Sequence, residues 1–215
     1  MNITIIAIIM VISELLGAVI CLKTKDTFKR MLLTCIGLGF AYAVVLLDIL
    51  PDATEHYAYG FLICAAGAFV IYLIDRYGRH IGGPAAVLGM GFHDFCEGAV
   101  LTVLGSTASP LVIVAFILHK FPEGIISFSL LDGLRDKMRF FIVLLISLLI
   151  PLGTFMPIPE HVEQPILAFI AGVILFVISK SLVMLVSEHR CERPKIAVAT
   201  AIGAILGVIP CLIIM

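Results

Sequence analysis

Eight apolar stretches, each of about 18 to 23 residues and separated by short polar turns, take up nearly all of this chain. They fall at 3–22, 31–50, 57–74, 84–104, 110–131, 140–156, 165–187 and 196–215. Each matches the ~20 residues that a helix needs to cross ~30 Å of hydrocarbon. Too little polar sequence remains to clothe a soluble core: of 215 residues only 13% are charged and 61% are hydrophobic, whereas a soluble domain carries about a quarter charged residues. The expected fold class is all-α, a polytopic membrane protein with one transmembrane domain over residues 1–215 and the lipid bilayer as its main partner. The N-terminus has neither a basic leader nor a small-residue cleavage site, so its first stretch reads as a span and not as a removed signal. The six Cys form no CxxC pair and read as small buried apolar residues.

Charge placement supplies a topology. Twelve of the fourteen Lys and Arg lie in the first, third, fifth and seventh connections. The second, fourth and sixth connections and both ends carry none. Positive charge marks the cytoplasmic side, so eight transmembrane helices with both termini extracytoplasmic are expected, in the plasma (cytoplasmic) membrane. Lys120 and Lys180, the other two cations, fall inside spans.

The fourth and fifth spans contain near-repeats, His93-Asp94-Phe95-Cys96-Glu97-Gly98 and His119-Lys120-Phe121-Pro122-Glu123-Gly124. Residues four apart share a helix face, which pairs His93 with Glu97 and His119 with Glu123. Under the expected topology the spans run in opposite directions and both His lie roughly 14–17 Å deep, near the bilayer midplane. An inverted pair of this kind is a common way to place a transporter site. Each ionisable group at that depth costs on the order of 2.5–3.5 kcal/mol, and His93, Asp94, Glu97, His119, Lys120 and Glu123 concentrate six of them. A purely structural network is the bland alternative. A cation site is the stronger reading, with His93, Glu97, His119 and Glu123 as metal ligands between the fourth and fifth helices. Two imidazoles and two carboxylates suit a divalent transition metal better than Ca²⁺ or Mg²⁺, which prefer all-oxygen shells.

The expected function is transport of such a metal; zinc, iron, manganese and cadmium all suit the donor set. The metal is cargo, and no organic cofactor is expected. Two rivals use the same residues. A non-transporting membrane metal sensor would bind without flux. An intramembrane metal-dependent hydrolase would need a third ligand and a separate general base; with no HExxH and no other polar cluster, the chain is not expected to be an enzyme. No nucleic-acid partner is expected, and a homodimer is compatible with the reading.

The paired HxFxEG and HxFPEG spans, the short basic loops and the eight-helix pattern resemble the ZIP (zinc- and iron-regulated transporter-like) family over nearly the whole chain. Gly39-Phe40-Ala41 to Leu50-Pro51-Asp52-Ala53 is similar to that family's second span, and Ala168-Phe169-Ile170-Ala171-Gly172 to the start of its seventh. The resemblance implies an importer with a binuclear midplane site, His93, Glu97, His119 and Glu123 holding the primary metal. The chain departs from the pattern where the family completes a second metal site. Asp94 fits, but Lys120 stands at the matching position of the fifth span, Ile150-Pro151 replaces a Glu-Pro, and the Glu often found in the seventh span is replaced near Lys180-Ser181. Asp94 and Lys120 are thus expected to be the remnant of the second site, with the ammonium in place of the second cation, paired with Asp94 and sharing Glu97 or Glu123.

Other residues carry weaker expectations. Glu14 lines the exit path or pairs with Lys180. Asp48 and Asp52, with Glu55 and His56, form an entry funnel or an ordinary wet helix end, and Glu160, His161 and Glu163 are similar. Cys96 is expected to pack and not to ligate. Pro122 should bend or open its helix beside His119. Gly98 and Gly124 are expected to let the fourth and fifth spans approach closely. His80 and His189 are given no role.

Overall fold

The computed structural model describes residues 2–55, 59–77, 82–104, 110–156 and 159–214. His56 and His80 lie outside them, as do the side chains of Asp48, Asp52, Glu55, Glu160, His161 and Glu163. The described chain is all-helical. Its α-helices are α1 (Ile3–Lys23), α2 (Thr27–Val44), α3 (Leu50–Glu55), α4 (Gly60–Tyr77), α5 (Gly82–Leu104), α6 (Pro110–Leu130), α7 (Asp136–Ser147), α8 (Leu149–Gly153), α9 (Glu160–Glu188) and α10 (Arg193–Ile214).

Local chemistry explains several boundaries. The Asn2 side chain accepts from the Thr4 amide, and Asp26 accepts from the amides of Phe28 and Lys29, so α1 and α2 begin at capped ends. Between α6 and α7 the chain turns through Gly133 at φ 98°, a left-handed value. Arg139 fastens that turn, donating from Nε to the Leu134 carbonyl at 2.9 Å and pairing with Asp132. A π-helical turn, Val45–Ile49, joins α2 to α3 through helical backbone. The sixth span breaks at Leu148 into α7 and α8. Pro122 does not interrupt α6, and α10 continues past Pro210 to Ile214 instead of ending there.

Among the described residues, three helices, Ile3–Lys23, Thr27–Leu47 and Gln164–Glu188, are long and apolar enough to cross a membrane. Polarity is inverted relative to a soluble fold. On α1, Ile5, Ile8, Ile12, Leu16 and Ile20 form an exposed apolar stripe, while Glu14 is buried on the opposite face. The buried set also holds His93, Asp94, Glu97, His119, Lys120 and Glu123.

Glycines set which helices touch. A Cβ placed on Gly17 or Gly124 would meet the backbone carbonyl of Phe121 or Glu14, joining α1 to α6. Gly98 and Gly153 join α5 to α8 through Ile150 and Phe95, and Gly67 and Gly172 join α4 to α9 through Phe169 and Cys64. Gly39 and Gly203 join α2 to α10 through Thr200 and Ile36. In these eight cases the carbonyl oxygen lies 1.8 to 2.1 Å from the added carbon, so the backbones are in contact. Gly98 and Gly124 therefore do not draw α5 and α6 together, as the sequence suggested; they dock them onto α8 and α1. Exchanging α1, α2–α3 and α4 for α7–α8, α9 and α10, and α5 for α6, maps these four pairings onto one another.

Direction also follows from contacts. Ser13 donates to the Ile117 carbonyl and Cys21 to that of Ile125, so α1 and α6 run parallel. Gly203 meets Ile36 and Gly207 meets Phe40, so α2 and α10 run parallel. The Gly172→Ala variant should lose about 1–3 kcal/mol of stability, because its methyl group overlaps a backbone carbonyl that cannot rotate away. Gly89→Ala should lose less, its added carbon meeting only the Val173 side chain at 3.0 Å. Thermal unfolding of both variants in detergent checks the order.

Candidate metal site

On α5, His93 and Glu97 project from one face because they are four residues apart; on α6, His119 and Glu123 do the same. The pairs meet crosswise. His93 Nε2 lies 2.8 Å from Glu97 Oε1 and 3.1 Å from Glu123 Oε1. His119 Nε2 lies 2.8 Å from Glu97 Oε1 and 4.0 Å from Glu123 Oε1. The later residue of each helix reaches the earlier residue of the other, which is what antiparallel neighbours produce. One ligand atom from each of the four lies within 4.8 Å of all the others, and all four residues are buried. A tetrahedral ion with bonds of ~2.0–2.1 Å would need its ligand atoms about 3.4 Å apart. The four atoms bracket that spacing, and small side-chain shifts suffice. Phe116 holds the His119 ring edge-on, centroids 5.4 Å apart.

Lys120 completes the cluster. Its Nζ donates to Asp94 Oδ1 at 2.6 Å and to Glu123 Oε2 at 2.6 Å, and ion-pairs with Glu97 Oε2. Its side chain is 0% exposed. The pairing with Asp94 is the one expected from the sequence, and both Glu97 and Glu123 are shared. Each of these glutamates divides its oxygens, with Oε1 toward the imidazoles and Oε2 toward the ammonium. With Asp94, Glu97 and Glu123 ionised and Lys120 charged, a divalent cation at the imidazoles brings the formal charge of this set to zero.

Glu14 and Lys180 do not pair. Lys180 is partly exposed and binds Asp75 of α4. Glu14 is fully buried, and the charges within its electrostatic reach are Asp94, Lys120, Glu123 and Glu97. Asp75 was missed because no local spacing links α4 to α9. Cys96 packs among Leu38, Ala41, Val45 and Ile174 and is not in the ligand group.

One pocket adjoins the cluster, and a larger cavity adjoins that pocket. A pocket of about 20 Å³, room for one water, is lined by His119, Glu123, Val45, Ile49, Ile126 and Val177. The π turn supplies two of those walls, and π turns gather at functional sites. A larger cavity of about 490 Å³ shares Ile126 and Val177 with it and reaches Arg30, Asp75, Asp132, Lys180 and His189. Comparison with models of known protein families and with curated proteins found no match to this chain.

Proposed function

We propose that the protein is a ZIP-like transporter carrying a divalent transition metal, zinc first, toward the cytoplasm through the His93/Glu97/His119/Glu123 cluster. The observation that carries this reading is the convergence of two imidazoles and two carboxylates from antiparallel helices in a buried, apolar setting. Buried charges at such a density are stabilised by a captured cation. In this reading the eight helical rods cross the bilayer, with both termini outside. The parallel runs of α1 with α6 and of α2 with α10 support it, because rods one and five, or two and eight, are separated by an even number of crossings. The larger cavity reaches the ends of helices next to the basic connections, the side expected to face the cytoplasm. It offers a release path from Glu123 past Ile126 and Val177.

Lys120 makes this a single-metal site: its ammonium holds the oxygens that a second cation would need. Zinc titration of purified protein should give one equivalent in wild type and two in Lys120→Asp; two in both would sink the single-metal reading. Uptake of ⁶⁵Zn into reconstituted vesicles tests transport itself. Binding without flux would instead make the protein a metal sensor.

A further inference from the structure

Among the described residues, the buried carboxyl group of Glu14 has no part in the metal cluster. Glu14 sits on α1, is 0% exposed, and neither of its carboxylate oxygens has a hydrogen-bond partner. A carboxylate removed from water and left unbonded is costly, so its position needs a reason. Gly124 supplies the structural cause: with no side chain there, the Glu14 backbone rests on α6 one turn from Lys120. Lys120 is among the charges within reach of Glu14.

The hydrogen-bond inventory shows what those oxygens are for. An ammonium has three donors. Lys120 donates to Asp94 and Glu123 and ion-pairs with Glu97, and the two glutamates are the carboxylates assigned to metal. A divalent ion between the imidazoles must compete with the ammonium for Glu97 and Glu123, and the two cations repel across them. The lysine stem is flexible, so the ammonium can turn away if other acceptors wait beside it. Two groups qualify: the Glu14 carboxylate and Asp94 Oδ2, which is also buried and unbonded.

We propose that Glu14 is a positioning residue that receives the Lys120 ammonium when metal takes Glu97 and Glu123, so that a side chain on α1 touching no metal sets the affinity of the site. This inference rests on the metal-site reading. Metal-free protein holds Lys120 on the ligand carboxylates, where its charge offsets theirs. Metal-loaded protein holds it on Glu14 and Asp94. Loading and release thereby move an internal positive charge between α5–α6 and α1.

The test is a double-mutant cycle on full-length protein in detergent, with zinc affinity measured by competition against a chromophoric chelator. Glu14→Gln should weaken zinc binding roughly tenfold, because the ammonium then stays on the ligands. In a Lys120→Gln background the same change should alter affinity by no more than about twofold. Equal losses in both backgrounds would overturn the proposal, since a merely structural Glu14 acts regardless of Lys120. Should Lys120→Gln not fold, zinc-induced infrared difference spectra decide the matter: wild type should show a shift of a carboxylate band that Glu14→Gln lacks, and identical spectra overturn it. A wild type that binds no zinc overturns the metal reading and this inference with it, and that failure is visible before any variant is made.

Discussion

Replacing His119 by Ala should abolish ⁶⁵Zn uptake into reconstituted vesicles and weaken zinc binding on the order of 100-fold or more. Losing a residue that only orients a metal ligand costs about 10–100-fold; losing the ligand itself costs at least as much. The fold should survive. Glu97 loses one imidazole but keeps His93 at 2.8 Å and the Lys120 ammonium, so no carboxylate is stranded. Phe116→Leu separates ligation from shape. It removes the ring that holds the His119 imidazole edge-on and should reduce uptake only severalfold. Uptake by His119→Ala at the wild-type rate would leave the transport reading without its chemistry.

Which parts of this site the sequence revealed depends on the range of the interaction. His93 with Glu97, and His119 with Glu123, were legible because a helix fixes the direction of residues four apart. That the two pairs meet was expected from the span boundaries and the basic connections, which run the two spans in opposite directions. The Lys120–Asp94 pair followed because each residue stands directly after a motif His. Interhelical register was not legible, since it depends on where small residues let two backbones touch. Of the two readings for Glu14, the pairing with Lys180 therefore fails, because Lys180 binds Asp75, and Gly98 and Gly124 dock α5 and α6 onto α8 and α1 instead of onto each other. The π turn at Val45–Ile49 was equally hidden, because one Asp in Val-Leu-Leu-Asp-Ile does not distinguish a π turn from an α-helix. The break at Leu148 did have a local signal, since Pro151 cannot donate an amide to the Ser147 carbonyl four residues back. Local periodicity thus exposed the ligands, while tertiary packing decided what surrounds them.

Lys120→Ala should have two effects of opposite sign, and their combination is what identifies the lysine as a stand-in cation. Without the ammonium, Asp94, Glu97 and Glu123 remain buried with only the two imidazoles to offset them. Removing one partner of a buried ionic cluster costs about 3–5 kcal/mol, so the metal-free variant should unfold at a markedly lower temperature. Zinc binding should become tighter, because the Oε2 atoms of Glu97 and Glu123 are no longer claimed by Nζ. A ligand at 100 times its Kd stabilises the native state by about 2.7 kcal/mol. Saturating zinc should therefore recover much of the lost stability and raise the melting temperature of the variant more than that of wild type. Paired thermal melts with and without zinc read both effects. A variant as stable as wild type without metal would mean that the three carboxylates do not depend on Lys120. One that binds zinc more weakly than wild type would mean that the ammonium assists the metal instead of competing with it.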